Sequence, residues 1–192
     1  MSSVAEDVIR TLRHLDHSVS RTLASFKYYR ETFKWIEWSL HGIPWIAGSS
    51  LLLITAYGRR WDETVQYRLA VLTTGLIVDA LATGLIKMTF QRQRPDDNHN
   101  DMIYEAPIAD QFSFPSGHTS RAAMLATFWC LIYPKHSILV RILPMTVAIS
   151  RVMMGRHYIS DVLAGLFFGY LQGKLFLTLP MSYSRWLANV LY

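Results

Sequence analysis

Five apolar stretches recur along the chain, near residues 40–57, 69–86, 120–133, 138–154 and 162–179, separated by charged or turn-forming residues. A helix needs about 20 mainly apolar residues to cross some 30 Å of hydrocarbon. The runs 69–86 and 162–179 approach that length cleanly, whereas the others are shorter or carry Pro44, Arg141, Pro144 or Arg151. The pattern predicts an all-α, integral-membrane helical bundle of about five spans, with a soluble but unusually apolar bundle as the plainer alternative. Ahead of the first run, Val4, Val8, Ile9, Leu12, Leu15, Val19, Leu23 and Phe26 recur at spacings of three and four, while Arg10, Arg13, His14, His17 and Arg21 fill the other side. Residues 4–26 therefore predict an amphipathic helix, too polar to span, lying along the interface or packed on the rest of the domain. Tyr28, Tyr29, Trp35 and Trp38, with Lys27, Arg30 and Lys34, form an aromatic and basic collar before the first span. The expected division is an amphipathic segment, 1–35, and a transmembrane domain, 36–192.

The polar interruptions differ in length. Residues 58–68, 133–137 and 155–160 are short connections, but 87–118 is a long polar segment without clear periodicity of its own, and loops of that length are often functional. Threading the five runs as spans places 87–118 and 150–161 on one face of the bundle.

Composition adds to this picture. Of 192 residues, 51% are hydrophobic and 17% charged, and the mean hydropathy of +0.17 favours the membrane reading. The single cysteine, Cys130, can make no internal disulfide. Met1–Arg13 lacks the apolar core of a cleavable signal. The net charge of +5 comes from scattered basic residues with no nucleic-acid-reading module, so anionic headgroups or an anionic substrate are the better partners.

Three clusters share the polar face: Lys87-x6-Arg94-Pro95, Pro115-Ser116-Gly117-His118, and Ser150-Arg151-x5-His157-x3-Asp161. Singly, each has an ordinary reading: cations snorkelling at a span end, a turn with a helix cap, an i,i+4 pair. Together they concentrate cations, histidines and a carboxylate in a way that packing does not explain. Phosphoryl transfer fits them. A phosphoester carries about two negative charges near neutrality, and its transfer needs fixed positive charge around the equatorial oxygens. Lys87, Arg94 and Arg151 can supply that charge. The Ser116 hydroxyl and the N–H groups of Gly117 and His118 add donors at a helix N-terminus, and Gly117, lacking a side chain, lets backbone approach the phosphate. One histidine must attack unprotonated and the other must protonate the leaving oxygen. Asp161, one turn after His157, can orient that ring, so His157 is the expected nucleophile and His118 the acid/base.

The rival chemistry is a metal site built from Asp96, Asp97, His99, Asp101, Glu105 and Asp110. The neighbouring cations disfavour it, no metal-binding spacing occurs, and a solvated acidic loop is the simpler reading. No metal and no cofactor are expected. His14, His17, His41, His99 and His136 have no evident partner in the sequence.

The three-part signature, complete and in order, resembles that of the type 2 phosphatidic acid phosphatase superfamily. The resemblance implies an all-α bundle, usually of six transmembrane helices, and metal-independent catalysis. It also implies a phosphohistidine at His157, orientation by Asp161, leaving-group protonation by His118, and phosphate binding by Lys87, Arg94, Ser116, Gly117 and Arg151. The stretches "HGIPW" (41–45), "SFPSGHTSRAA" (113–123) and "SRVMMGRH" (150–157) are most similar to its polyisoprenoid diphosphate/phosphate phosphohydrolase (presqualene diphosphate phosphatase) subgroup. This implies farnesyl, geranylgeranyl or presqualene phosphates and diphosphates as substrates, with phosphatidic acid poorer, in the endoplasmic reticulum and nuclear envelope. Five spans rather than six leave residues 1–35 to replace the missing helix at the interface. The positive-inside rule, applied to Arg10, Arg13, Arg21, Lys27, Arg30 and Lys34, favours a cytosolic site. A non-catalytic scaffold of the same fold, a broader lipid phosphatase and a vanadate-dependent haloperoxidase are the competing functions.

Overall fold

The computed structural model describes residues 2–25, 30–98 and 111–191. Phe26, Lys27, Tyr28 and Tyr29 of the N-terminal pattern lie outside them, as do His99, Asp101, Glu105 and Asp110 of the acidic loop. Each apolar run becomes one helix: α3 (Gly42–Gly58), α4 (Glu63–Phe90), α5 (Gly117–Ile132), α6 (Ile138–Met153) and α7 (Ile159–Phe176). They are preceded by α1 (Ser2–Ala24) and α2 (Arg30–Ser39) and followed by α8 (Met181–Leu191). Neither α2 nor α8 follows from the apolar pattern, because each is short and amphipathic, and the 35/36 division falls inside α2. Ordinary end chemistry sets the limits of α4. The Asp62 carboxylate accepts from Thr64 N (2.8 Å) and Val65 N (3.3 Å), and the helix stops where Gln91 turns left-handed at φ 47°.

By length and composition, Arg30–Gly58 (α2 with α3) and α4 can cross a membrane, and α7 with α8, bent by 87°, makes a third if the pair is one broken span. The other two apolar runs fold into 16-residue helices, each rising about 24 Å. Among the described residues, then, two or three of the five bundle helices meet the full spanning criterion. Leu51, Leu81, Leu85, Ile138, Leu139, Phe167 and Leu175 are nonetheless exposed around the bundle, an apolar surface suited to lipid. The chain is an integral membrane protein.

At the centre, α5 and α7 run parallel and in close approach. Gly165, Gly169 and Gly173 fall on one stripe of α7, and a Cβ on any of them would press into α5: 2.7 Å from Ser116 O at Gly165, into the Ser120 carbonyl at Gly169, and 2.9 Å from Met124 O at Gly173. Small residues at every fourth position let helix backbones approach where lipid supplies no hydrophobic drive. A buried polar tie joins α5 to its other neighbours. The Ser120 hydroxyl donates to Asp79 of α4 (2.5 Å), Arg121 lies 3.5 Å from the same carboxylate, and Arg121 Nη1 donates to Leu40 O (2.8 Å). Asp79 is fully buried, so this pairing is what makes its charge tolerable inside an apolar bundle.

Helix α1 packs through a narrow strip of Asp16, Ser20, Leu23 and Ala24, while Arg10, Arg13, His14 and Arg21 stay exposed. Ser20 and Ala24 are buried against α6 and α7, while Val4, Val8, Leu12, Leu15 and Val19 face outward. That is the reverse of a surface helix in water. Of the two expectations for this segment, α1 packs on the domain, and its outward apolar residues are of the kind that suits a membrane interface.

The glycine stripe yields a paired test. Gly169→Ala should cost about 1–3 kcal/mol through overpacking, read as a lower Tm in detergent. Gly48→Ala on α3, where a Cβ meets nothing within 4 Å, should stay within about 0.5 kcal/mol of the parent.

Candidate active site

The ends of the long loop are clamped together. Ser113 N donates to Arg92 O (2.8 Å), its hydroxyl donates to Gln93 O (3.1 Å), and Gln93 and Phe112 form an isolated antiparallel bridge. This brings the stretch that carries Lys87 and Arg94 alongside Pro115–His118. Ser116 ends the loop as the N-cap of α5, and its N–H donates to Asp161 O (3.1 Å), so α5 and α7 begin side by side. The turn before α7 closes on the same loop. Gly155 adopts φ +68°, and a side chain there would sit 2.8 Å from Asp97 O. Arg94 Nη1 donates to Arg156 O (3.3 Å) across that contact.

His157 is buried at the convergence. Its Nδ1 lies 2.8 Å from Ser113 O. A carbonyl can only accept, so Nδ1 carries the proton and Nε2 keeps a free lone pair. The Asp161 carboxylate stands 3.6 Å from Nδ1, beyond a good hydrogen bond. Its oxygens instead accept from Arg92 Nη1 (2.7 Å) and Tyr158 N (2.9 Å). Tautomer selection, which sequence reasoning gave to Asp161, is made here by a backbone carbonyl, with Asp161 as nearby negative charge. Burial, then Arg151, Arg94 and Lys87, hold the His157 pKa well below the ordinary imidazole value. Its resting form is therefore the neutral base.

The other residues named from the sequence gather around it. Lys87, in the last turn of α4, and Arg151, at the end of α6, are buried. With Arg94 and His118 they act electrostatically on His157. His118, in the first turn of α5, has an Nε2 with no hydrogen-bond partner among the described residues. Beside Gly117 the nearest atom a Cβ would meet is Thr83 Oγ1 at 3.7 Å, which leaves room for a ligand. The Ser116 hydroxyl is buried and paired with Thr119 Oγ1 (3.0 Å). The N-termini of α5 and α7 add two positive dipole ends to the three cations. Such a site can hold a dianionic phosphate against a neutral imidazole nitrogen.

Sequence reasoning missed several members. Glu37 of α2 is buried between Arg151 (2.5 Å) and Arg156 (3.4 Å), and Arg156 also donates to Asn98 Oδ1 (3.3 Å). Arg92, inside the first signature stretch, holds Asp161 and Asp16. His41 caps α3 through Nδ1 and lies edge-on to His118, with ring centroids 6.2 Å apart, and His17 stacks on Tyr158 at 4.3 Å. Two histidines without evident sequence partners thus have structural ones. Of the acids proposed for a metal, Asp96 pairs with Arg21 (2.9 Å), and no cluster of three or more potential ligands occurs among the described residues. A cavity of about 730 Å³ adjoins the site, with apolar walls from Ile9, Leu12, Phe90 and Phe114 and polar ones including Arg94. His17 lines it, but His118 and His157 do not.

Comparison with known proteins places this geometry. The chain is 33% identical to the lipid A 1-phosphatase of Rhizobium etli, over 62% of its own length and 53% of that protein. It is 31% identical to phosphatidylglycerophosphatase B of Bacillus subtilis, over 71% of each. It spans about half the length of several curated relatives it matches. The crystal structure of the transmembrane PAP2-type phosphatidylglycerolphosphate phosphatase of Bacillus subtilis superposes with a TM-score of 0.63 at 27% identity, covering 87% of this chain and 85% of that one. The sequence profile of the PAP2 superfamily matches residues 63–184, which include all three clusters of the site. The chain belongs to the PAP2 superfamily.

Proposed function

We propose that this chain is a membrane lipid phosphatase working through a phosphohistidine at His157, without a metal ion. One observation carries the reading: a buried imidazole with Nδ1 committed to a carbonyl, so that Nε2 keeps its lone pair, set among cations that hold its pKa down. Lys87, Arg94 and Arg151 hold the equatorial oxygens of the phosphoryl group. The N–H groups of Gly117 and His118 add donors, and the Ser116 hydroxyl braces that turn through Thr119. Nε2 attacks phosphorus as the P–O bond to the lipid breaks, and the leaving oxygen takes a proton from His118. Water then attacks the phosphohistidine and gives its proton to His118. The P–N bond breaks, and inorganic phosphate leaves. Asp161 stabilises the positive ring during the first step, and Ser113 O keeps its orientation.

For the substrate we propose polyisoprenoid monophosphates or diphosphates of the farnesyl, geranylgeranyl or presqualene kind. The residue resemblance supports this class, as does an apolar-walled cavity that shares Arg94 with the phosphate site. Phosphatidic acid and related phospholipids are the alternative. The proposed location is the endoplasmic reticulum and nuclear envelope with the site facing the cytosol, following the same resemblance and the basic residues of α1.

Phosphate release from farnesyl diphosphate in detergent should persist in EDTA and fall by at least about 1000-fold in His157→Ala. Normal turnover by that variant overturns the mechanism. No release from isoprenoid phosphates, diphosphates or phosphatidic acid by a well-folded protein favours the scaffold, and halide oxidation with vanadate favours a peroxidase. A second expectation concerns pH. Lys87 is one of the cations that lower the His157 pKa. Lys87→Gln should therefore let His157 take a proton at higher pH, moving the acid-side inflection of kcat/KM upward, with an overall loss of about 10–100-fold. A pH profile from 5 to 8 checks the direction.

A further inference from the structure

The first turn of a helix leaves N–H groups without internal partners, and most helices satisfy them with nearby residues of their own chain segment. On α7 only part of that is local: Tyr158 N donates to Asp161 Oδ2 (2.9 Å). The next two N–H groups are capped from α1, some 140 residues away. Ile159 N donates to Ser20 Oγ (3.0 Å), and Ser160 N donates to Asp16 Oδ1 (3.1 Å). The other Asp16 oxygen accepts from the Ser160 hydroxyl (2.5 Å) and from Arg92 Nη2 (2.9 Å). Arg92 in turn donates through Nη1 to Asp161 Oδ1 (2.7 Å) and Ser160 Oγ (2.6 Å), with its guanidinium over the Tyr158 ring at 4.1 Å. Asp16, Ser160 and Arg92 thus form a closed ring of charge-assisted bonds, and Asp161, four residues after His157, joins it through Arg92. Burial alone would raise the Asp16 pKa, but hydrogen bonds from Arg92 and Ser160 more than offset it and keep the carboxylate ionised.

We propose that Asp16 is a positioning residue for the phosphatase reaction: from the N-terminal helix it fixes Arg92 on Asp161 and so sets where the Asp161 charge stands relative to His157. This role rests on the function proposed above. Arg92 is a planar fork, and its two edges face two carboxylates. With both in place it cannot swing towards a phosphate held on Arg94 two residues away, and Asp161 is kept 3.6 Å from Nδ1 rather than drawn onto it. Removing Asp16 leaves the guanidinium bonded through Nη1 alone, to Asp161 and Ser160, and less firmly oriented over the Tyr158 ring. The reacting ring then loses a fixed counter-charge while the phosphate-binding cations stay where they are. The consequence falls on kcat and spares KM.

The test uses the full chain in detergent with farnesyl diphosphate. Asp16→Asn, which can still accept from Ser160 N but carries no charge for Arg92, should lower kcat by roughly tenfold or more, as small misplacements at a reaction centre do, with KM changed less than about twofold. Asp16→Glu should recover part of the loss. Ser20→Ala, which removes the neighbouring trans cap without touching Arg92, should lower Tm and leave kcat unaltered. Arg92→Lys, which keeps the charge but cannot bridge both carboxylates, should reproduce the Asp16→Asn loss and carries the test if that variant does not fold. An active wild type with Asp16→Asn or Arg92→Lys at wild-type kcat overturns the positioning role alone. So does a loss in Asp16→Asn matched by Ser20→Ala. A wild type that releases no phosphate overturns both the role and the function it serves.

Discussion

The close approach of α5 and α7 is the constraint on which the rest depends. The stripe Gly165, Gly169, Gly173 lets two parallel helices meet backbone to backbone, and the bond from Ser116 N to Asp161 O locks their first turns in register. Parallel helices locked at their N-termini point both positive dipole ends at the same spot. They also put His118, on one helix start, opposite His157, just ahead of the other. A phosphate site made this way needs no dedicated binding loop. A bulkier residue on the stripe would separate the two histidines as well as loosen the bundle.

Concentrating cations in an apolar protein has a cost, and the described structure meets it with buried acids paired to the arginines. Glu37 stands against Arg151 and Arg156, Asp79 against Arg121, and Asp16 with Asp161 against Arg92. Each ion pair crosses between helices or between a helix and a loop, so the network that makes the charges tolerable also ties α1, α2, α4, α5, α6 and α7 around the site. Removing one member of a buried pair leaves the other uncompensated, which costs more than the pair contributes. The acids are therefore structural in origin, yet they fix where the arginines stand around the proposed phosphate site. Lys87, Arg94 and Arg151 form the part of the positive charge that acts on His157.

Much of this was legible in the sequence, because the proposed phosphoryl transfer calls for particular residue types at short spacings. Lys87, Arg94, His118, Arg151, His157 and Asp161 each sit in a compact motif, and the five apolar runs mark the five bundle helices. What escaped has two causes. Glu37 meets Arg151, and Asp16 meets Arg92, over separations that no helical period encodes, so a lone acid on an amphipathic helix looks like a solvated one. Ser113 acts through its backbone carbonyl, which side-chain chemistry does not announce. The i,i+4 spacing of His157 and Asp161 pointed to a direct bond, but His157 precedes the first turn of α7, and Asp161 there turns back to cap Tyr158 N. The number of spans was equally hard to read, since α5 and α6 are apolar helices of only 16 residues, short of the length a span needs.

The N-terminal helix joins these threads. A helix on a soluble protein buries its apolar ridge, and α1 instead buries Ser20 and keeps Val8, Leu12 and Leu15 outward. With lipid as the solvent for that ridge, the strip with Asp16 and Ser20 is left to the protein, and that strip meets α7 where it lacks caps of its own. Partition of α1 to the interface and completion of the first turn of α7 are then favoured by one and the same orientation of the helix. That turn carries Asp161 and follows directly on His157, so on the proposed mechanism the route by which α1 bears on the imidazole is the contact from Asp16 through Arg92 to Asp161.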